Sequence, residues 1–139
     1  MNIVLIKLGA LGDVVRTTAL LLGFHERYPS VRIHWVTADN AVPLLKNNVL
    51  IHRVVTVEQW VHSHATEVYD WVINLDDDQE ACVLASDISA LRKTGAYVGP
   101  GNRRAYTNDS APWFDMGLLS RHGKDEADRR KVRNKKTYQ

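Results

Sequence analysis

The sequence predicts one α/β domain, an open parallel sheet wound on both faces by helices, and three observations predict it. Short apolar or alternating runs recur at intervals of about 20–30 residues, and helical patterns fill the gaps, which is the βαβ rhythm. The length, 139 residues, is that of one ordinary domain. Apolar residues make up 45% and charged residues 24%, the balance of a chain with a packed core rather than a disordered one.

Asn2-Ile-Val-Leu-Ile-Lys7 is almost wholly apolar and rich in β-branched residues, so it reads as a strand buried on both faces. Leu8–Asp13 is a glycine-bearing turn. Val14–Tyr28 has helical spacing at Val14, Val15, Thr18, Leu21, Leu22 and His25, and Pro29 stops it. Val31–Thr37 alternates with period two and reads as a second strand. Asp39 or Asn40 caps a short helix running to Asn48, with Pro43 in its first turn. Val54–Val57 is a third strand, Glu58–Tyr69 a polar helix or loop, and Trp71–Leu75 a fourth strand. Asp78 caps a helix from about Gln79 to Arg92. Ala96–Val98 is a fifth strand, closed by Gly99-Pro-Gly101.

After residue 101 the rhythm stops. Arg103–Asn108 reads as a loop or short hairpin and Ala111–Leu119 as a short apolar helix. The division expected is 1–101 as the domain proper, 102–120 as a segment packing on it, and 121–139 as a basic linker or disordered tail. Charge follows that division. Residues 1–120 hold ten Lys/Arg against thirteen Asp/Glu, and residues 121–139 hold eight against three. The body is therefore not a nucleic-acid binder by composition. The tail is either a solvated end or a segment that touches phosphates or an anionic membrane surface. No apolar run approaches the roughly 20 residues that span a bilayer, and no signal peptide is recognisable. The one cysteine, Cys82, excludes an internal disulfide and a cysteine-based zinc site, and fits a reducing, cytoplasmic setting.

In a sheet of this kind ligands sit beyond the carboxyl ends of the strands. The segments there are Gly9–Asp13, Thr37–Asn40, Asp76–Asp78 and Gly99–Arg104. The first carries the sharpest pattern. Gly9 and Gly12 permit a tight turn and close approach of a ligand. The turn lacks both G-x-G-x-x-G and the G-K-S/T of a phosphate loop, and ends instead in a carboxylate, Asp13. Asp13 is either the N-cap of the first helix or a general base facing the cleft.

The stretch Met1-Asn-Ile-Val-Leu-Ile-Lys-Leu-Gly-Ala-Leu-Gly-Asp-Val-Val-Arg-Thr-Thr18 resembles the opening of glycosyltransferase family 9, the ADP-heptose:lipopolysaccharide heptosyltransferases. The similarity continues through Leu20–Pro29, Ile33–Val36, Pro43–Leu45, Val49–Val55 and Tyr69–Asp76. Trp113–Leu118 and Asn134–Gln139 resemble that family's inter-domain region. The resemblance implies a GT-B architecture, in which two Rossmann-like domains face a cleft. The N-terminal one holds the acceptor, the C-terminal one the ADP-sugar, and no metal or other cofactor takes part. It implies Asp13 as the general base. Lys7 and Arg16, with Arg103 and Arg104 more weakly, would face an anionic glycolipid acceptor, since Arg grips phosphate or carboxylate in a bidentate way. A donor domain is not present in residues 1–139, so this chain alone is expected to be inactive. The donor domain would then lie in further sequence or on a partner chain. The competing expectation is a non-enzymatic module that binds a glycan or a protein, or one chain of a split transferase. Contact with a membrane would be peripheral.

Other constellations have plainer readings beside functional ones. Asp76-Asp-Asp78 contains D-x-D, which either binds a divalent ion or forms the acid-rich start of a helix. His62 and His64 read as surface histidines with no third zinc ligand in view. Cys82 reads as a buried thiol. Trp35 and Trp71 read as core, Trp60 is open, and Trp113 and Phe114 pack a short helix onto this domain or a second one.

Overall fold

The computed structural model describes residues 1–63, 67–114, 122–133 and 135. Its strands are β1 (Asn2–Ile6), β2 (Arg32–Thr37), β3 (Arg53–Thr56), β4 (Tyr69–Asn74), β5 (Ala90–Gly99) and β6 (Arg103–Tyr106). Helices α1 (Leu11–Thr17) and α2 (Ala19–Arg27) follow β1. Helix α3 (Val42–Leu45) follows β2, α4 (Val57–Ser63) follows β3, and α5 (Gln79–Asp87) follows β4. Helices α6 (Ala111–Phe114) and α7 (Lys124–Arg133) come last.

The sheet order is β3-β2-β1-β4-β5-β6. Strands β1 to β5 run parallel, in register at pairs such as Leu5 with Trp35 and Leu5 with Ile73, and β6 is antiparallel to β5. The chain moves outward from β1 in one direction, then returns to lay β4 on the other side. The fold is thus the doubly wound, Rossmann-like sheet the sequence predicts, and its order reverses between β1 and β4.

Strand β1 shows why its sequence is continuously apolar. Side chains alternate across a strand. Ile3 and Leu5 enter one core with Ile33, Trp35, Val14 and Leu21, under α1 and α2. Val4 and Ile6 enter the other with Val36, Val72, Trp60 and Leu84, under α4 and α5. All four β1 residues are fully buried, and each contributes roughly 1.5–3 kcal/mol relative to an exposed position. Trp60 belongs to this core. Trp71 is half-buried, edge-on to Phe24 and covered by the Arg92 guanidinium 4.0 Å from its ring centroid.

Two local expectations are corrected, and two segments left open by the sequence are described. The first helix begins at Leu11, not Val14, and is interrupted at Thr18, where hydroxyl and N–H both donate to the Val15 carbonyl. Such local bonding by Thr competes with the regular helix ladder. The helix after β4 ends at Asp87 rather than near Arg92. Ile88 turns extended, and residues from Ala90 pair with β4, Arg92 opposite Trp71 and Lys93 opposite Val72. Cross-strand pairing there overrides a helical pattern. Arg103–Asn108 resolves to the hairpin alternative, since β6 joins the sheet. Within the basic tail, read as a linker or a disordered end, Lys124–Arg133 form a helix. Ala127 is buried, and Glu126 accepts from Arg130 at 3.1 Å and faces Arg129 at 3.5 Å, pairs that support a helix at these spacings. Residues 115–119 of the expected apolar helix, and His64, lie outside the described residues.

Candidate functional site

The point where strand order reverses leaves a crevice at the carboxyl ends of β1 and β4. The turn 8–13 rises from β1 there, and 75–78 from β4. The antiparallel return of β6 brings its first residues, Arg103 and Arg104, to the same edge of the sheet, opposite Gly99 and Val98.

Asp13 is the third residue of α1, and the N-cap position is held by Ala10, which makes no side-chain cap bond. The capping alternative for Asp13 is therefore overturned. The helix opens one turn earlier than the sequence suggests, because the Asp13 and Val14 amides both donate to the Ala10 carbonyl, at 2.9 and 3.0 Å. A carboxylate in the first turn is still favoured by the helix dipole. The Asp13 side chain is 41% exposed and lies 3.8 Å from the Arg16 guanidinium, which is 63% exposed. Screening by water makes that pair weak. Asp13 thus offers an accessible carboxylate oxygen at the crevice, with a cation one turn along.

Gly9 and Gly12 lie outside the left-handed region, and a Cβ built on either would meet nothing within 4 Å. The space above the turn is open for something else to approach.

Lys7 does not face that space. It is 6% exposed and ion-paired with Asp76, itself 9% exposed. The reason is positional. Lys7 continues β1 past Ile6, its N–H donates to the Val36 carbonyl, and its own carbonyl accepts from the Thr37 hydroxyl at 2.9 Å. Its side chain is thereby directed at the neighbouring strand end, where Asp76 waits. The Asp76 carboxylate also accepts from the amides of Leu8 and Gly9. Burial pushes the Asp76 carboxyl above its ordinary value, while the Lys7 hydrogen bond and charge and the two amides pull it back down.

The other two acids of the D-x-D run have separate partners. Asp77 accepts from the Tyr106 hydroxyl at 3.1 Å, and both its carboxylate and its carbonyl meet the Arg104 guanidinium. Asp78 is the N-cap of α5, accepting from the Ala81 amide at 3.0 Å. The helix-start reading of this run holds for Asp78 alone, since Asp76 and Asp77 are taken by Lys7 and by Arg104 with Tyr106. Among the described residues, no group of three or more His, Cys, Asp or Glu side chains is arranged to hold a metal.

The structure therefore joins Asp13 with Arg16, and Arg104 with Asp77. Arg103 and Arg104 are consecutive on β6 and point to opposite faces, so they do not form one grip. Cys82 is fully buried beside Ala96 and Phe114, and burial pushes its thiol up to about 11, which leaves it unreactive at neutral pH. His62 is exposed on α4 and bonds the Glu58 carbonyl. Sequence reasoning missed the roles of Asp76, Asn74 and Tyr106. The available signal was a charged residue at the end of each of two buried apolar runs, since two such charges side by side must pair.

No family model and no curated protein matches the chain. Solved structures do. A glycosyl transferase family 9 structure from Veillonella parvula DSM 2008 is 26% identical with a TM-score of 0.61, covering 68% of this chain and 31% of that one. The E. coli heptosyltransferase WaaC with ADP is 19% identical with a TM-score of 0.56, covering 68% and 35%. E. coli ADP-heptose lps heptosyltransferase II is 16% identical with a TM-score of 0.54, covering 68% and 30%. The chain thus spans about a third of the length of each of these structures. At their identities the two E. coli enzymes speak for the fold. The resemblance read from the sequence is present in three dimensions.

Proposed function

We propose that this chain is the acceptor-binding part of a glycosyltransferase that moves heptose, or a related sugar, from an ADP-sugar to a lipopolysaccharide core. The likeness to family 9 and heptosyltransferase structures supports the transferase reading. The observation that carries the mechanism is the accessible Asp13 carboxylate at the crevice where the strand order reverses, beneath two glycines with open space above them.

In this reading an acceptor hydroxyl approaches over Gly9 and Gly12 and hydrogen-bonds to Asp13. The carboxylate takes the hydroxyl proton as the oxygen attacks the anomeric carbon, the bond to the ADP leaving group breaks, and the anomeric configuration inverts. Arg16 and Arg104 lie at the same edge and offer guanidinium groups to acceptor phosphate or carboxylate, Arg103 more distantly. The reading needs no metal. The ADP-sugar would be held by a second, GT-B-type domain outside residues 1–139 or on a partner chain, so 1–139 alone is inactive. Contact with the lipid surface is peripheral; among the described residues no helix is long and apolar enough to cross a membrane.

The test is Asp13→Asn in the whole protein, assayed with ADP-heptose and a lipopolysaccharide-core acceptor. Loss of the base is expected to lower kcat by about 10²–10⁴ with ADP affinity unchanged. Full rate in the variant removes Asp13 from the reaction, and transfer by purified 1–139 alone overturns the two-part arrangement.

A further inference from the structure

We infer that the buried Lys7–Asp76 pair is a positioning device for the turn that carries Asp13. The inference rests on the reading of Asp13 as the base and deepens it.

The pair sits in the gap between β1 and β4, directly beneath the turn. One Asp76 carboxylate oxygen takes the Lys7 ammonium, and the other takes the amides of Leu8 and Gly9, the latter at 3.3 Å. Asp76 is itself fixed from behind. Its N–H donates to the Asn74 side-chain carbonyl at 3.1 Å, and the Asn74 amide nitrogen donates to the Ala96 carbonyl at 2.8 Å. On the other side the Lys7 carbonyl accepts from Thr37 and from the Trp35 indole. One run of polar contacts therefore crosses β2, β1, β4 and β5 along the carboxyl edge, in side chains that are almost wholly buried.

Stability is a poor reason for such a pair. Desolvating two charges is costly, and well-packed apolar residues in their place are often as stable. What the pair supplies that an apolar pair does not is a fixed acceptor for two backbone amides, those of Leu8 and Gly9, just ahead of the Ala10 carbonyl that opens α1. No side chain packs over the turn's glycines, since nothing lies within 4 Å of the Cβ positions at Gly9 and Gly12. Asp76 thus sets where α1 starts, and the start of α1 sets where the Asp13 carboxylate lies. Reactive groups tolerate little misplacement; about 1 Å can cost on the order of 10²-fold in rate.

Two variants of the whole protein test this: Asp76→Asn, which keeps an acceptor oxygen and loses the charge, and the double variant Lys7→Met/Asp76→Leu. Amide hydrogen exchange is read at Leu8–Asp13 and, as a control, at the buried amides of β1 and β4. Transfer from ADP-heptose is read as kcat and KM. The double variant is expected to exchange at least about tenfold faster at Leu8–Asp13, with the strand amides unchanged. Its kcat is expected to fall on the order of 10²-fold with KM for ADP-heptose held, and Asp76→Asn to fall between it and the parent. Exchange at Leu8–Asp13 that matches the parent in both variants overturns the inference, as does an unchanged kcat. If the double variant fails to fold, Asp76→Asn decides by the same two readings. If the parent itself transfers no sugar, the functional reading fails, while the exchange data still decide whether the pair holds the turn.

Discussion

Breaking the Lys7–Asp76 pair from one side and then from both should give losses that do not add, and the structure sets the size of each. Their side chains are 7% and 11% exposed, so water screens neither charge. Asp76→Leu leaves a buried ammonium alone and removes the acceptor for the Leu8 and Gly9 amides. Removing one partner of a buried pair costs about 3–5 kcal/mol. For a domain of this size, whose total stability is of order 5–15 kcal/mol, that corresponds to a Tm lower by about 10–20 °C. Lys7→Met costs less at low pH, because the orphaned carboxyl can take a proton. Burial already holds the Asp76 pKa above its ordinary value, and losing the Lys7 cation raises it further. A folded-state pKa raised above the unfolded one gives stability that is present at low pH and lost as pH rises towards the folded value. Lys7→Met should therefore weaken by up to about 1.4 kcal/mol per pH unit as pH climbs above the ordinary carboxylate range. Lys7→Met/Asp76→Leu has neither charge. It still lacks an acceptor for the Leu8 and Gly9 amides, so it should lose about 1–3 kcal/mol, well short of the sum of the single variants, and lack that pH slope. Urea unfolding of all four proteins at two pH values measures the coupling. If both single variants lose under about 1 kcal/mol, or if the double variant loses the sum of the two, the pair is not coupled and the reasoning is wrong.

The remaining expectations use the same measurements. Gly95 has φ +119°, and a Cβ there would lie 1.9 Å from the Asn74 carbonyl oxygen. Gly95→Ala should cost well over about 2 kcal/mol by forcing β4 and β5 apart beneath Asn74. Gly12→Ala, inside α1 with open space around it, should instead gain about 0.4–1 kcal/mol in urea unfolding. If sugar transfer falls while stability rises, a ligand passes close over the turn; if transfer is unaffected, it does not. Asp109 is held below its ordinary pKa by the Thr107 hydroxyl, Arg92 and Thr94. A depressed pKa contributes stability above the unfolded value that is lost as pH falls through the folded one. Asp109→Asn should be less stable than the parent at neutral pH, and the difference should shrink below about pH 4; a difference independent of pH would refute this.

Much of the fold was legible because β1 and its neighbours leave few choices. A run like Ile3–Ile6 is buried on both faces when it lies between two parallel strands with helices on either side, and the alternation in Val31–Thr37 marks one of those neighbours. Boundaries were lost where tertiary contacts decided them. Nothing local in Ala90–Lys93 announces a strand; its pairing with Tyr69–Val72 makes it one. The early start of α1 was hidden for a similar reason. Ala10 is no capping residue, and the bonds that place the turn come from Asp76, 68 and 67 positions from the Leu8 and Gly9 amides that it holds.

That long reach bears on how a site should be read from such a sequence. Asp13 was visible because a carboxylate after two glycines is unusual on its own. Lys7 was visible too, but as a cation facing an anionic acceptor, and its place was wrong. The error has a physical source: a lysine that directly continues a strand buried on both faces has no route to solvent along that strand, so it must find an anion at the same level of a neighbouring strand. Of the strand ends flanking β1, that of β2 offers Thr37 and that of β4 offers Asp76. Only the second can pair with it. The D-x-D run then divides into three duties, with Asp76 turned inward to β1, Asp77 sideways to β6 and Asp78 forward to α5. A run of three acids is read correctly only once the strand order is known, because the order decides which neighbour each one meets.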